Sequence, residues 1–404
     1  MTSFPFKRAS RIASIELSEI VQIQEAAQKK RAEGHDVIAL GTGEPDFGTP
    51  EHVKDAAIDA MRAEDTKYPK TAGNPALREA IVERFKRDND IDLSVDNVIA
   101  CTGAKQVIFN AFMATLEPGD EVIIPAPYWT SYSDMVKICG GVPVVIPCGL
   151  EEGFKLSPER FEAAITDRTK WLMLNTPSNP SGAVYNIDEM QALGEVLDRH
   201  PDIWLMSDEI YEHLVYASNG FQSAWSVLPQ LNDRTIIING VSKSYAMTGW
   251  RLGFGVTNPD LIKAMTVVQG NSTSGASSIS QAAAVGALNG PQGLLAERKA
   301  SFKERRDLVV EGVNACEGLT CDVPPGAFYV FPSCEGVIGK KTPEGKVIEN
   351  DADFCSFLLE IQALALVPGR AFGVPGYFRI SYAYAKSDLE KAMVRLKAAC
   401  EALS

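Results

Sequence analysis

The stretch 241–255 reads V-S-K-S-Y-A-M-T-G-W-R-L-G-F-G. It follows T-I-I-I-N at 235–239, a β-branched apolar run short enough to be a buried strand. Lys243 therefore sits just beyond a strand end, between two serines, and Arg251 opens the next short apolar segment. A lysine held in a pocket loses its proton through desolvation and becomes a nucleophilic amine. An arginine nearby offers a fixed fork of donors suited to phosphate. The pair points to a covalently held aldehyde cofactor with a phosphate tail. The ordinary alternative is two solvated surface charges, and the neighbouring strand ends bear on the choice.

Outward from this stretch the chain keeps one rhythm. Apolar runs N-V-I-A-C (97–101), E-V-I-I-P (121–125), V-P-V-V-I-P (142–147), W-L-M-L-N (171–175) and I-W-L-M-S-D (203–208) precede T-I-I-I-N, and L-G-F-G-V follows it. Helical patterns lie between them at 105–116, 130–139, after Ser157, and at 187–199. Earlier ones fall at 51–63 and 74–88, where Asn74 suits a cap and Pro75 the first helical position. Near-continuous apolar strands alternating with amphipathic helices predict an α/β fold: a mostly parallel, seven-stranded sheet sandwiched by helices, with ligands at the strands' carboxyl ends. A long helical stretch at 291–316 leads to a different order: A-F-Y-V-F (327–331), a charged loop, a helix at 351–362, F-R-I-S-Y (378–382) and a terminal helix. With D-V-I-A-L (36–40) and a helical pattern at 11–33, this reads as a smaller α+β domain. The expected division is 46–300 for the large domain and 1–45 plus 301–404 for the small one.

Composition narrows the function. The 404 residues carry 39 Lys and Arg against 52 Asp and Glu, a net charge of −13 without a basic run, which argues against nucleic acid and anionic membrane. No apolar run approaches the roughly 20 residues of a membrane helix, and the N-terminus lacks the apolar core of a secretory signal. Eight scattered cysteines contain no C-x-x-C pair, as expected of free thiols in a reducing, cytoplasmic setting. The four histidines show no metal-ligand spacing, and no metal site is expected. G-T-G-E-P lacks the third glycine of a dinucleotide fingerprint.

Five further constellations lie at predicted strand ends. In S-D-E-I-Y (207–211), Asp208 suits a protonated ring nitrogen, whose pKa a close carboxylate raises, and Tyr211 suits a phenolate oxygen. Asp208 equally suits a helix cap. N-T-P-S-N-P-S-G (175–182) presents Asn179 towards the same oxygen, or is an ordinary loop. C-T-G-A-K-Q (101–106) offers helix-start N–H groups to an anion through Gly103, Ala104 and Lys105, though without the Walker spacing. Trp129 in P-Y-W-T suits stacking on a cofactor or plain packing, and Tyr68 in K-Y-P-K suits plain packing as well. Arg379 in F-R-I-S-Y sits amid apolar residues and requires a carboxylate, from an internal acid or from a substrate.

Taken in this order, the motifs resemble the class I pyridoxal-phosphate aminotransferases of fold type I, most closely the bacterial aspartate aminotransferase branch, subgroup Ib. The match runs from G-T-G-E-P-D-F-G-T-P to F-R-I-S-Y. The resemblance implies pyridoxal 5'-phosphate as cofactor and Lys243 as the lysine that holds it. It also implies Asp208 on the ring nitrogen, with Tyr211 and Asn179 on the ring oxygen. Trp129 falls on the stacking position, and Gly103, Ala104, Lys105, Ser242 and Arg251 fall at the phosphate. Tyr68 matches a tyrosine that reaches the neighbouring subunit's phosphate, which implies a homodimer with shared sites. Arg379 matches the α-carboxylate ligand, with the backbone near Gly43 closing over substrate and Lys105 reaching a distal carboxylate.

The implied reaction is ping-pong transfer of an amino group from an L-amino acid, aspartate or aromatic, to a 2-oxo acid such as 2-oxoglutarate. Another pyridoxal-phosphate reaction, β-elimination or C–S lysis, and a non-catalytic sensor domain are the alternatives. Two positions depart from the pattern. Gly240 stands where the family often has a phosphate-binding serine, and Ile15-Glu16-Leu17-Ser18 replaces a Lys-Pro-Ser run. Glu16 is expected to repel a second substrate carboxylate unless it points away.

Overall fold

A computed structural model describes residues 6–16, 18–218 and 220–404. After the short β1 (Ile38–Ala39) come the strands of the main sheet: β2 (Val98–Cys101), β3 (Glu121–Ala126), β4 (Val142–Pro147), β5 (Thr169–Asn175), β6 (Trp204–Asp208), β7 (Thr235–Gly240) and β8 (Gly253–Val256). Their spatial order is β2-β8-β7-β6-β5-β3-β4. All neighbours run parallel except β8, which is antiparallel to both β7 and β2.

Period-two alternation sends each strand's side chains to two separate cores. Trp171 and Met173 of β5, with Ile236 and Ile238 of β7, pack on one face against Phe112 and Met265. Leu172, Leu174 and Ile237 pack on the other against Ile81, Phe85 and Leu197. A third core gathers Phe302, Val309, Phe354, Leu358, Phe378, Ile380 and Leu396 with Ile38 and Leu40. Around it lie the remaining strands, β9 (Tyr329–Val330), β10 (Leu364–Ala365), β11 (Val367–Pro368) and β12 (Phe378–Ser381). β12 pairs antiparallel with β9 and β11, and β1 pairs parallel with β10, which ties the N-terminal segment to the C-terminal part.

Several elements differ from the periodicity reading. The helix expected over 11–33 is two, Ser10–Ala13 and Glu19–Ala32, because Ser18 is extended at φ −58°, ψ 144°. A-F-Y-V-F shortens to β9, since Ala327 adopts φ 58°, which no strand accommodates. Helices Pro259–Gly270 and Ser278–Asn289 are additional to that reading. The first carried a legible start, Asn258 capping Leu261 N with Pro259 at the first position.

One close approach positions the helix that opens the site. Gly240 and Gly253 are register partners between β7 and β8, and a Cβ on Gly240 would lie 2.9 Å from Gly253 Cα. A Cβ on Gly253 would lie 2.2 Å from Ala104 N, so helix Ala104–Thr115 starts directly against the strand backbone. Gly253→Ala is expected to lower unfolding free energy by about 1–3 kcal/mol, the usual cost of overpacking. Urea unfolding followed by circular dichroism measures it, and an unchanged midpoint would mean that the helix start is free to move.

Candidate active site

A cavity of about 290 Å³ opens where β-strands of the main sheet end and the third core begins. Its lining includes Lys243, Asp208, Tyr211, Asn179, Trp129 and Arg379, with Ala104, Lys105, Ser242, Arg251 and Gly43. Local sequence explains each arrival. Asp208 is the last residue of β6, Asn179 lies in the turn after β5, and Lys243 follows β7 by three residues. Ala104 begins the helix after β2, and Arg379 lies within β12. Residues 210–213 form turns and no helix follows, so the helix-cap alternative for Asp208 does not apply.

Lys243 Nζ donates to Gly43 O at 2.6 Å. Burial lowers its pKa to about 8; Glu44 opposes the shift, and Arg379 and Arg251 reinforce it. The amine is thus available uncharged near neutral pH. Asp208 is 4% exposed and desolvation raises its pKa to about 6. The Tyr132 hydroxyl, donating at 2.7 Å, and the Ile210 N–H hold the carboxylate ionised against that burial. A cationic ring nitrogen beside it would favour the ionised form further.

Arg379 is 1% exposed, and among the described residues its hydrogen-bond partners are neutral. Nη1 donates to Asn179 Oδ1 at 2.7 Å, Nη2 donates to Gly41 O, and Nε has no partner. The guanidinium also lies 4.7 Å from the Tyr329 ring centre and 4.8 Å from that of Phe372. The internal acid considered from sequence is therefore not among its partners, and its charge is left for a carboxylate entering the cavity. Asn179 Oδ1 is taken by Arg379, so its amide N–H group is what remains to donate. The Tyr211 hydroxyl pairs with that of Tyr329 at 2.9 Å.

At the opposite end, Gly103 adopts φ +85° at the cap of helix Ala104–Thr115, which has no side-chain cap bond. A Cβ on Gly103 would stand 2.5 Å from Arg251 Nη2, so only glycine brings the helix start and the guanidinium together. This arrangement is an anion cradle. Lys105 Nζ lies 4.5 Å from the Trp129 ring centre, and burial together with Arg251 lowers its pKa.

Other sequence candidates lie elsewhere. Tyr68 is 94% exposed and outside the cavity of the single chain. Glu16 is also outside the lining; its exposed carboxylate faces Arg8 Nη1 at 3.4 Å, so the repulsion expected of it does not arise in this arrangement. Leu17 lies outside the described residues. Gly240 is enclosed by β8 rather than facing an anion. Sequence reasoning assigned no role to Tyr132, Tyr329, Asn175 or the Gln24–Thr42 hydrogen bond (2.6 Å) at the cavity wall. Tyr132 stands three positions after Trp129, in the first turn of helix Ser131–Ile138, and that nearness to a candidate site residue was the available signal.

A nucleophilic amine, an anion cradle that a Cβ would fill and a buried carboxylate fit an aldehyde-bearing phosphorylated heterocycle. Comparison with known proteins points the same way. The sequence model of the family described as aminotransferase class I and II matches residues 35–396. The chain is 56% identical over 399 residues to an aspartate aminotransferase of Rhizobium meliloti (strain 1021), covering 99% of this chain and 97% of that one. It is 51% identical to a probable aspartate/prephenate aminotransferase of Rhizobium leguminosarum bv. phaseoli, covering 98% of each. The fold matches the crystal structure of the Rhizobium meliloti aspartate aminotransferase at TM-score 0.97 and 56% identity, over 99% of this chain and 100% of that one. It matches the Thermus thermophilus aspartate aminotransferase with maleate at TM-score 0.89 and 40% identity, over 98% and 100%. From its sequence, its seven-stranded architecture and these relatives, this chain belongs to the class I and II aminotransferase family.

Proposed function

We propose that this aminotransferase uses pyridoxal 5'-phosphate to move the amino group of a dicarboxylic amino acid of the aspartate class to a 2-oxo acid such as 2-oxoglutarate. One observation carries the reading: a buried amine and a buried carboxylate share a cavity with two arginines, Arg251 and Arg379. Bound there, the cofactor supplies an aldehyde for the amine and a protonated ring that delocalises the charge left when an α-proton departs.

The chain's own residues do the rest. Arg251, with the N–H groups at the start of helix Ala104–Thr115, holds the phosphate. Asp208 keeps its proton-bearing partner charged, and Tyr211 and Asn179 donate to the ring oxygen. Arg379 fixes the substrate's α-carboxylate, which turns the Cα–H bond towards Lys243 Nζ. Lys243 Nζ would then take the α-proton and, as the ammonium, be the acid that gives it back. Lys105 is the cation left for a second carboxylate, and the Thermus thermophilus relative was solved with maleate, a dicarboxylate. In this reading both substrates use the one cavity and enter it in turn, which is ping-pong order.

The exposed Tyr68 supports a homodimer in which it reaches the partner's phosphate. The pairing of β1 with β10 supports a small domain of 1–45 plus 301–404 beside a large domain of 46–300. Eight unpaired cysteines support a cytoplasmic setting.

Lys243→Ala is expected to leave the fold intact and lower turnover by about 10³-fold or more, since nucleophile and base are lost together. Half-reaction absorbance spectra check this, and normal transamination would refute the assignment. Arg379→Ala is expected to raise KM by about 10- to 100-fold for every amino donor, the worth of a charge-assisted pair; steady-state kinetics with several donors measures it. Covalent capture requires the uncharged amine. Because burial brings Lys243 down to about 8, the rate at which cofactor-free protein captures pyridoxal phosphate rises with pH up to that value and levels above it. Glu44 raises the pKa of Lys243, so Glu44→Gln moves the inflection to lower pH. Stopped-flow absorbance across pH reads both effects.

A further inference from the structure

Segment 207–213 presents side chains to two sides. Asp208 and Tyr211 line the cavity, whereas Glu209 and Glu212, 0% and 5% exposed, are buried outside its lining. Facing them from helix Pro75–Asn89 is Arg84, itself 1% exposed. Arg84 Nη2 forms an ion pair with Glu212. Its Nε lies 3.4 Å from Asp88 Oδ2, and its Nη1 donates to Asn89 Oδ1 at 3.1 Å. The guanidinium sits 4.5 Å from the centre of the Phe85 ring. Glu209 Oε1 accepts from Ser207 Oγ at 3.0 Å and Ala224 N at 2.9 Å. His213 Nε2 stands 3.4 Å from Glu212 Oε1 and 4.0 Å from Asp88 Oδ2. Burial, with Arg84 second, lowers the His213 pKa to about 3.

A buried ion pair adds little net stability over apolar residues of the same volume, yet removing one partner alone is costly. Stability therefore gives no reason for this one. Its location does. Residues 210–213 form turns, so past the end of β6 no ladder or helix repeat holds the backbone that carries Tyr211. What grips the reverse of those turns is Arg84.

We propose that Arg84 and Glu212 form a positioning pair that anchors the back of the turns at 210–213 and so sets the geometry of Tyr211, and through the adjoining end of β6 that of Asp208, towards the bound heterocycle. The inference rests on the reading of the site as a pyridoxal-phosphate centre. Arg84 touches neither substrate nor cofactor; it acts through Glu212.

The test is the double variant Arg84→Met/Glu212→Leu, which removes both charges at similar volume and retains the fold. Against wild type, its cofactor dissociation constant, read from pyridoxal-phosphate fluorescence on dilution of the holoenzyme, is expected to rise about ten-fold or more. Its kcat with aspartate is expected to fall about ten- to hundred-fold with KM within about two-fold, because Arg379 is untouched. A purely structural pair would lower the melting temperature and leave both quantities at wild-type values, and that result overturns the proposal. If the double variant does not fold, Glu212→Gln keeps the shape and drops the charge. A rise of about three-fold or more in its cofactor dissociation constant supports the pair, and an unchanged constant overturns it. Lys243 is present in every variant, so a wild-type protein that holds no pyridoxal phosphate would instead overturn the reading of the site.

Discussion

Lys243 is buried with Gly43 O accepting its hydrogen bond, and an ammonium in that position gives up hydration that one neutral acceptor does not return. The balance therefore shifts towards the uncharged amine, bringing its pKa down to about 8. Arg379 and Arg251 push in the same direction, while Glu44 and Asp208 push the other way. The balance leaves a nucleophile poised near neutral pH in a chain whose net charge is −13. The overall acidity is thus no guide to the cavity, where Lys105, Arg251 and Arg379 also stand. Field strength in a cleft depends on what lines it.

Two glycines carry a second constraint, one of distance rather than charge. Gly253 lets the start of helix Ala104–Thr115 touch β8, and Gly103 lets Arg251 approach that same helix start. A Cβ at either position would stand within 2.5 Å of one of these groups and push it away. The antiparallel direction of β8 serves this arrangement. It runs from Gly253, beside the site, back to Val256, so Arg251, two residues ahead of it, is delivered to the end where the parallel strands finish.

The polar residues of the cavity wall also hold one another. Tyr132 steadies Asp208, Tyr329 meets Tyr211, and Asn179 is held by Arg379. Each functional group thereby has a second partner that limits its rotamers, which is how a site keeps its geometry before a ligand arrives. On the reverse face, Arg84 and Glu212 form an ion pair that is shielded from water and pressed against the same turns, with the more exposed Asp88 beside Arg84.

The sequence by itself determined the seven apolar strands, their alternation with helices and the strand ends at which Lys243, Asp208, Asn179 and Arg251 stand. Those features follow from local periodicity and from which residues stop a strand. It also carried enough spaced motifs to indicate the family. Tertiary structure alone decided the direction of β8, the split of the helix expected over 11–33, the turn of Glu16 towards Arg8, and the partners of Arg379. It decided as well that Tyr132 and Tyr329, which look like packing residues in the sequence, meet Asp208 and Tyr211. Local pattern specifies which residues an element buries. Which hydroxyl meets which carboxylate across 76 positions, or which other hydroxyl across 118, depends on how the elements stack, and no short-range rule contains that.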